Sequence, residues 1–129
     1  MKFNFHHVHL LCSDLEATIG FFRDVLGASV VRYAKFGGAD GATLNLHGTT
    51  INLRVKTEAE KPAGDSSLVT YGYHHICVQT EDVDAAHADF SARGIEFISG
   101  PTTTPDSRIA FLRGPDNIVV ELMQPLQAH

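Results

Sequence analysis

Apolar and polar positions divide the chain into two similar stretches of strand and helix. The run from Phe5 to Cys12 reads as a strand. After it, Leu15, Ile19, Phe22 and Leu26 recur at helical spacing, and Gly27 is a natural stop. Ser13 with Glu16 three residues on has the form of a capping box, so Ser13 is the expected N-cap. Ser29 to Tyr33, Ala42 to His47 and Thr50 to Val55 read as short strands, separated by the glycine-rich Gly37 to Gly41 and by Gly48. The order is βαβββ. The second half repeats it. Tyr71 to Thr80 is a predicted strand and Val83 to Arg93 a helix ending at Gly94. Ile95 to Ile98, Arg108 to Leu112 and Asn117 to Met123 are three more strands. The Pro- and Thr-rich stretch from Ser99 to Asp106 is an expected loop. Lys56 to Ser67 is polar, contains Pro62 and Gly64, and lacks periodicity. The expected organisation is one α+β domain over residues 1–129: module one over 1–56, a linker over 57–69, and module two over 70–129.

The two modules share residues as well as order. His7-Val8-His9-Leu10-Leu11-Cys12-Ser13-Asp14 returns as His75-Ile76-Cys77-Val78-Gln79-Thr80-Glu81-Asp82. His7 to His75 and Asp14 to Asp82 are both offsets of 68, and Ile51-Asn52-Leu53 matches Val120-Glu121-Leu122 at an offset of 69. One unit used twice places two histidines symmetrically about one cavity, under a curved mixed sheet. Strand alternation then sends His7, His9, Asn52, Arg54, Tyr73, His75 and Glu121 to its lining. Two imidazoles and a carboxylate on strands make a divalent metal site the leading expectation, with His7, His75 and Glu121 as ligands. Beside them, His9 is a candidate proton relay, Asn52 a candidate hydrogen-bond donor to substrate or bound water, and Tyr73 a candidate substrate contact. Each has a plainer alternative: a satisfied core histidine, a buried amide, a packed strand tyrosine. Arg54 is expected at a solvent-exposed strand edge, with pairing to a substrate carboxylate as the alternative. His6, His47, His74, His87 and His129 are expected on surfaces or outer faces.

Composition narrows the partners. Ten basic against fifteen acidic residues give a net charge of −5, with no Lys/Arg cluster, so neither nucleic acid nor an anionic membrane is an expected partner. Hydrophobic residues at 43% and charged residues at 19% are ordinary for a soluble protein. The N-terminus lacks the apolar stretch of a signal peptide, and no run reaches transmembrane length. The two cysteines, Cys12 and Cys77, are expected as reduced core thiols in a cytoplasmic protein.

In their order, His7-Val8 with Asp14-Leu15, Phe21-Phe22-Arg23-Asp24-Val25-Leu26-Gly27, His75-Ile76 with Asp82, and Gly114-Pro115-Asp116-Asn117 leading to Glu121-Leu122 resemble the vicinal oxygen chelate superfamily. That superfamily holds glyoxalase I, methylmalonyl-CoA epimerase, extradiol dioxygenases and fosfomycin-resistance thiol transferases. The resemblance spans nearly the whole chain. It implies His7, His75 and Glu121 as metal ligands, a small-molecule substrate chelating through adjacent oxygens, and a homodimer. The fourth ligand position of the family falls on Asn52, where glyoxalase- and epimerase-like members have Glu or Gln. Asn is a poor proton acceptor. The remaining two-His, one-carboxylate set is similar to that of the dioxygenases, which puts oxygenative cleavage with Fe2+ or Mn2+ first and glyoxalase-like lyase or isomerase chemistry with Ni2+ or Zn2+ second. A metal-free, antibiotic-binding protein is the alternative from another class.

Overall fold

Each half of the repeat closes its own hydrogen-bonded sheet in the computed structural model, which describes residues 1–61 and 71–126. The chain divides into two units, Met1–Ala63 and Gly64–His129. The first contains β1 (His7–Cys12), α1 (Leu15–Gly20), β2 (Ser29–Phe36), β3 (Ala39–Leu46) and β4 (Thr49–Val55). Its strands lie in the order β1-β4-β3-β2, with β1 parallel to β4 and the other pairs antiparallel. The second contains β5 (Ile76–Gln79), α2 (Val83–Ala92), β6 (Phe97–Thr103), β7 (Ser107–Arg113) and β8 (Val119–Pro125). It has the same order, β5-β8-β7-β6, and the same directions. The α+β class and the repeated βαβββ unit follow the hydrophobic pattern.

Alternation decides which face of each sheet is dry. In the first unit Ala42, Leu44, Ile51 and Leu53 are fully buried, and α1, with Ile19 buried, packs on β3 and β4. In the second, Ala110, Leu112, Val120 and Leu122 form the dry face, and α2 packs on β6, β7 and β8. The opposite faces carry His7, His9 and Asn52 in one unit and Glu121 in the other, all singled out for chemistry, beside Thr43, Cys77 and Phe111.

Several local expectations are corrected. The N-cap is Asp14 and not Ser13: the Asp14 carboxylate accepts from Ala17 N at 3.0 Å. Asp82, its repeat partner, accepts from Ala85 N at 2.9 Å. A carboxylate satisfies an orphan N–H and also meets the positive end of the helix dipole. After Gly20 the helix widens into a π-helical turn over Phe21–Val25, which buries Phe21 and Phe22 together. The glycine-rich loop is shorter than expected. Gly37 (φ 59) and Gly38 (φ 85) alone turn the β2–β3 hairpin, a conformation that needs positive φ at both central positions. Gly41 lies inside β3. The strand predicted from Tyr71 begins only at Ile76, behind Gly72 at φ 108. The expected loop from Ser99 is strand as far as Thr103, with one register shift between Phe97 and Ser99 and a second between Ser99 and Thr102, where Pro101 lacks an N–H for the ladder. Cys12 is buried as expected, but Cys77 is exposed. His129 and the linker from residue 62 to 69 lie outside the described residues. No described helix is long and apolar enough to cross a membrane.

Candidate metal centre

The second unit brings two of the three expected ligands into contact. Glu121 sits in β8, cross-strand from Cys77 of β5 and Phe111 of β7. His75 lies one residue before β5, and its Nε2 is 3.0 Å from Glu121 Oε1. Because an ionised carboxylate only accepts, His75 Nε2 donates in this arrangement. The Phe111 ring meets the His75 ring edge-on, with centroids 5.2 Å apart, and limits its rotation. The donor chemistry fits a divalent cation. Imidazole nitrogen and carboxylate oxygen bind such ions at about 2.1 Å, so two ligands at right angles have donor atoms about 3.0 Å apart. His75 Nε2 and Glu121 Oε1 already stand at that separation. Among the described residues, neither unit by itself gathers three or more His, Cys, Asp or Glu side chains into one group.

Cys77 shares this face. Although the residue is exposed, partial burial of its thiol, and then the nearby Glu121 charge, push the thiol up to about 11, so it stays protonated at neutral pH and is no activated nucleophile. Tyr73 lies in the segment leading to β5 and is 58% exposed, outside the strand face expected for it. Partial burial raises its hydroxyl pKa above the usual value.

The first unit assembles the repeat counterpart. His7 pairs with Thr50, and His9 with Asn52, along the parallel β1–β4 ladder. Thr43, cross-strand from Asn52, donates its hydroxyl to Asn52 Oδ1 at 2.8 Å, and both residues are buried. With its oxygen engaged by Thr43, the group Asn52 has left to offer is its N–H2, a donor. His7, Asn52 and Thr43 thus occupy the places that His75, Glu121 and Phe111 fill in the second unit. His9 packs edge-on against Phe36 at 5.2 Å. Burial, and then the neighbouring Arg54 guanidinium, hold the His9 imidazole below the ordinary histidine value, which favours its neutral form.

Arg54 is not the solvent-exposed edge residue expected. Its guanidinium makes a two-pronged ion pair with Glu60, at 3.0 and 2.7 Å. That hydrogen-bonded pair, joined by the Thr57 amide, draws the Glu60 carboxyl from 4.5 to about 2. A carboxyl with a lower pKa folded than unfolded adds stability that is complete above 4.5 and lost as pH falls toward 2. Glu60→Gln is therefore expected to lower the urea midpoint at pH 7 relative to the parent. The two midpoints should converge as both are measured toward pH 2. A gap that persists at acid pH would mean that Glu60 acts through something other than its charge.

His6 and His74 are exposed, as expected, but each also turns onto the histidine that follows it. His6 Nδ1 lies 2.8 Å from His7 Nδ1, and His74 Nδ1 lies 2.7 Å from His75 Nδ1. The doubled His-His dipeptide, at the same offset of 68, was the available signal.

The family model for the Glyoxalase/Bleomycin resistance protein/Dioxygenase superfamily matches residues 4–122. The mitochondrial methylmalonyl-CoA epimerase of Mus musculus is 30% identical, over 92% of this chain and 71% of the mouse protein. A probable lactoylglutathione lyase of Vibrio cholerae is also 30% identical, over 95% of this chain and 91% of its own length. Among solved structures, a glyoxylase/bleomycin resistance protein/dioxygenase domain from a Frankia species superposes with a TM-score of 0.79 at 21% identity, covering 98% of this chain and 100% of that one. At that identity the likeness speaks for the fold.

Proposed function

The chain belongs to the Glyoxalase/Bleomycin resistance protein/Dioxygenase superfamily, and from that premise we propose that it is a divalent-metal-dependent enzyme whose small substrate binds through adjacent oxygens. The reaction proposed is proton transfer at the carbon beside those oxygens, of the lyase or isomerase kind. The observation that carries the metal reading is the His75 Nε2 to Glu121 Oε1 distance of 3.0 Å, two good donors at ligand spacing on one sheet face. His75 and Glu121 are the proposed ligands in the second unit, and His7 is the proposed ligand that the repeat places in the first. The names of the relatives that cover nine-tenths of the chain, an epimerase and a lyase, favour proton transfer over the oxygenative cleavage ranked first from sequence.

A divalent ion held there supplies a positive charge that polarises the substrate oxygens and lowers the pKa of the adjacent C–H. The remaining roles fall to side chains of this chain. Asn52, its oxygen held by Thr43, offers N–H to a substrate oxygen. A neutral amide cannot take the proton, so the position that carries Glu or Gln in glyoxalase-like members is not the base here. His9, on the same strand face as His7 and favoured in its neutral form, is the proposed acceptor, with Nε2 or Nδ1 receiving the proton. Tyr73 remains a proposed substrate contact from the segment before β5.

The test begins with elemental analysis of protein purified without chelators. It continues with proton NMR in D2O, in the presence of a 2-oxoaldehyde–thiol hemithioacetal and, separately, a 2-methyl-substituted malonyl thioester. The expected result is about one divalent ion per chain and loss of the substrate C–H signal in one of the two samples. Oxygen uptake with a catechol, and no C–H exchange, would restore the dioxygenase reading. No metal, even after reconstitution, would overturn both in favour of a binding protein.

A further inference from the structure

We propose that His6 and His74 are positioning residues, each holding the neighbouring ligand imidazole by an Nδ1-to-Nδ1 hydrogen bond and so fixing which nitrogen faces the metal. The inference rests on the metal reading given above and deepens it.

Adjacent residues on an extended backbone normally point to opposite faces. At both chain positions where a proposed ligand histidine stands, the preceding histidine instead turns toward it. His6 and His7 rings meet with centroids 5.1 Å apart at 84°, and His74 and His75 rings with centroids 5.0 Å apart at 82°. The contacts are hydrogen bonds of 2.8 and 2.7 Å between Nδ1 atoms. The same geometry arises twice, 68 residues apart, once in each unit. His6 and His74 are both exposed, so core packing does not require an imidazole at either place.

The chemistry explains why the partner is itself a histidine. A neutral imidazole binds metal through the nitrogen that lacks a proton, so a ligand bound through Nε2 carries its proton on Nδ1. That Nδ1–H needs an acceptor, and the Nδ1 of His74 provides one. Without metal the arrangement reverses: His75 Nε2–H donates to Glu121, and His75 Nδ1 accepts from His74. A neutral imidazole serves as donor in one tautomer and acceptor in the other, so the bond persists through both states. Lysine would donate only, and a carboxylate would accept only.

The experiment is Co2+ titration followed by visible absorbance, on the full chain and on His74→Phe, His74→Asn and His6→Phe. Phe keeps the ring and removes both nitrogens. Asn keeps a donor and an acceptor. The expected result is about 10- to 100-fold weaker Co2+ binding in His74→Phe and His6→Phe, with a shifted d–d band, and recovery of most of the affinity and of the parent band in His74→Asn. Parental affinity and band in both Phe variants would overturn the inference. So would equal losses in His74→Phe and His74→Asn, because a lost hydrogen bond distinguishes them and lost packing does not. If the parent chain itself takes up no Co2+, the metal reading fails as well, an outcome separate from the others.

Discussion

Glu121→Ala is expected to lower divalent-metal affinity more than 100-fold. Changes to groups that only orient ligands cost about 10- to 100-fold, and removing a donor that also supplies the site's negative charge exceeds that. Glu121 is the only proposed anionic ligand. Without it, the His75 imidazole is left to face a doubly charged ion with no carboxylate beside it. The fold should survive the change. Glu121 lies on the face of β8 away from α2, and its neighbours in β8, Val120 and Leu122, supply the buried contacts. Isothermal titration with Mn2+ or Ni2+ measures the loss, and the urea midpoint checks the fold. Glu121→Gln separates charge from shape, because it keeps an oxygen donor and should fall between the parent and the alanine variant. Unchanged metal affinity in Glu121→Ala would sink the assignment of the site.

The largest expected loss of stability comes from a single added methyl group. A Cβ on Gly41 would run into the backbone carbonyl of Leu53, to which β3 is paired, and into the Phe36 ring. The carbonyl belongs to the ladder and cannot move without opening it. The Phe36 ring cannot move without disturbing His9, which it touches edge-on. Overpacking of this kind costs about 1–3 kcal/mol, and an obstacle made of backbone puts Gly41→Ala at the upper end, about 3 kcal/mol. Chemical denaturation reads the loss directly. The His9 ring resonances should shift in the same variant. A parental denaturation midpoint would mean that β3 and β4 part more easily than their register implies.

The repeat was legible because its markers are side chains with fixed structural duties. Asp14 and Asp82 cap helices, and His7 and His75 stand at strand entrances, so they recur at one offset. The misplaced N-cap at Ser13 shows a limit of that reading. Two oxygen-bearing residues compete for one cap, and only backbone dihedrals decide between them. The late start of β5 has a similar cause. Tyr71 and Tyr73 favour strands, but Gly72 between them adopts a φ of 108, and no strand dihedral survives there. Cys77 was read as core from its apolar neighbours, whereas its alternation with His75 already set it on the ligand face. His6 and His74 were passed over because the alternation rule turns neighbours apart, and the rule lapses where the chain enters a strand. Of the proposed ligands, the placing of His75 and Glu121 toward one lining followed from strand alternation. The engagement of Asn52 by Thr43 did not, since it depends on cross-strand register that no periodicity reveals.

The strand order has one more consequence. β5 is four residues long, lies at the edge of its sheet, and among the described residues is laddered only to β8. Edge strands open locally at little cost, and their amides exchange with solvent while the centre of the sheet stays closed. An ion gripped by His75 and Glu121 would act as a cross-link between the loose entrance of β5 and the centrally placed β8, removing freedom from the open form and not from the closed one. Occupancy would then be written in the exchange rates of Ile76 to Gln79, far more than in those of β7, and a fraying strand would become a gauge of what the site holds.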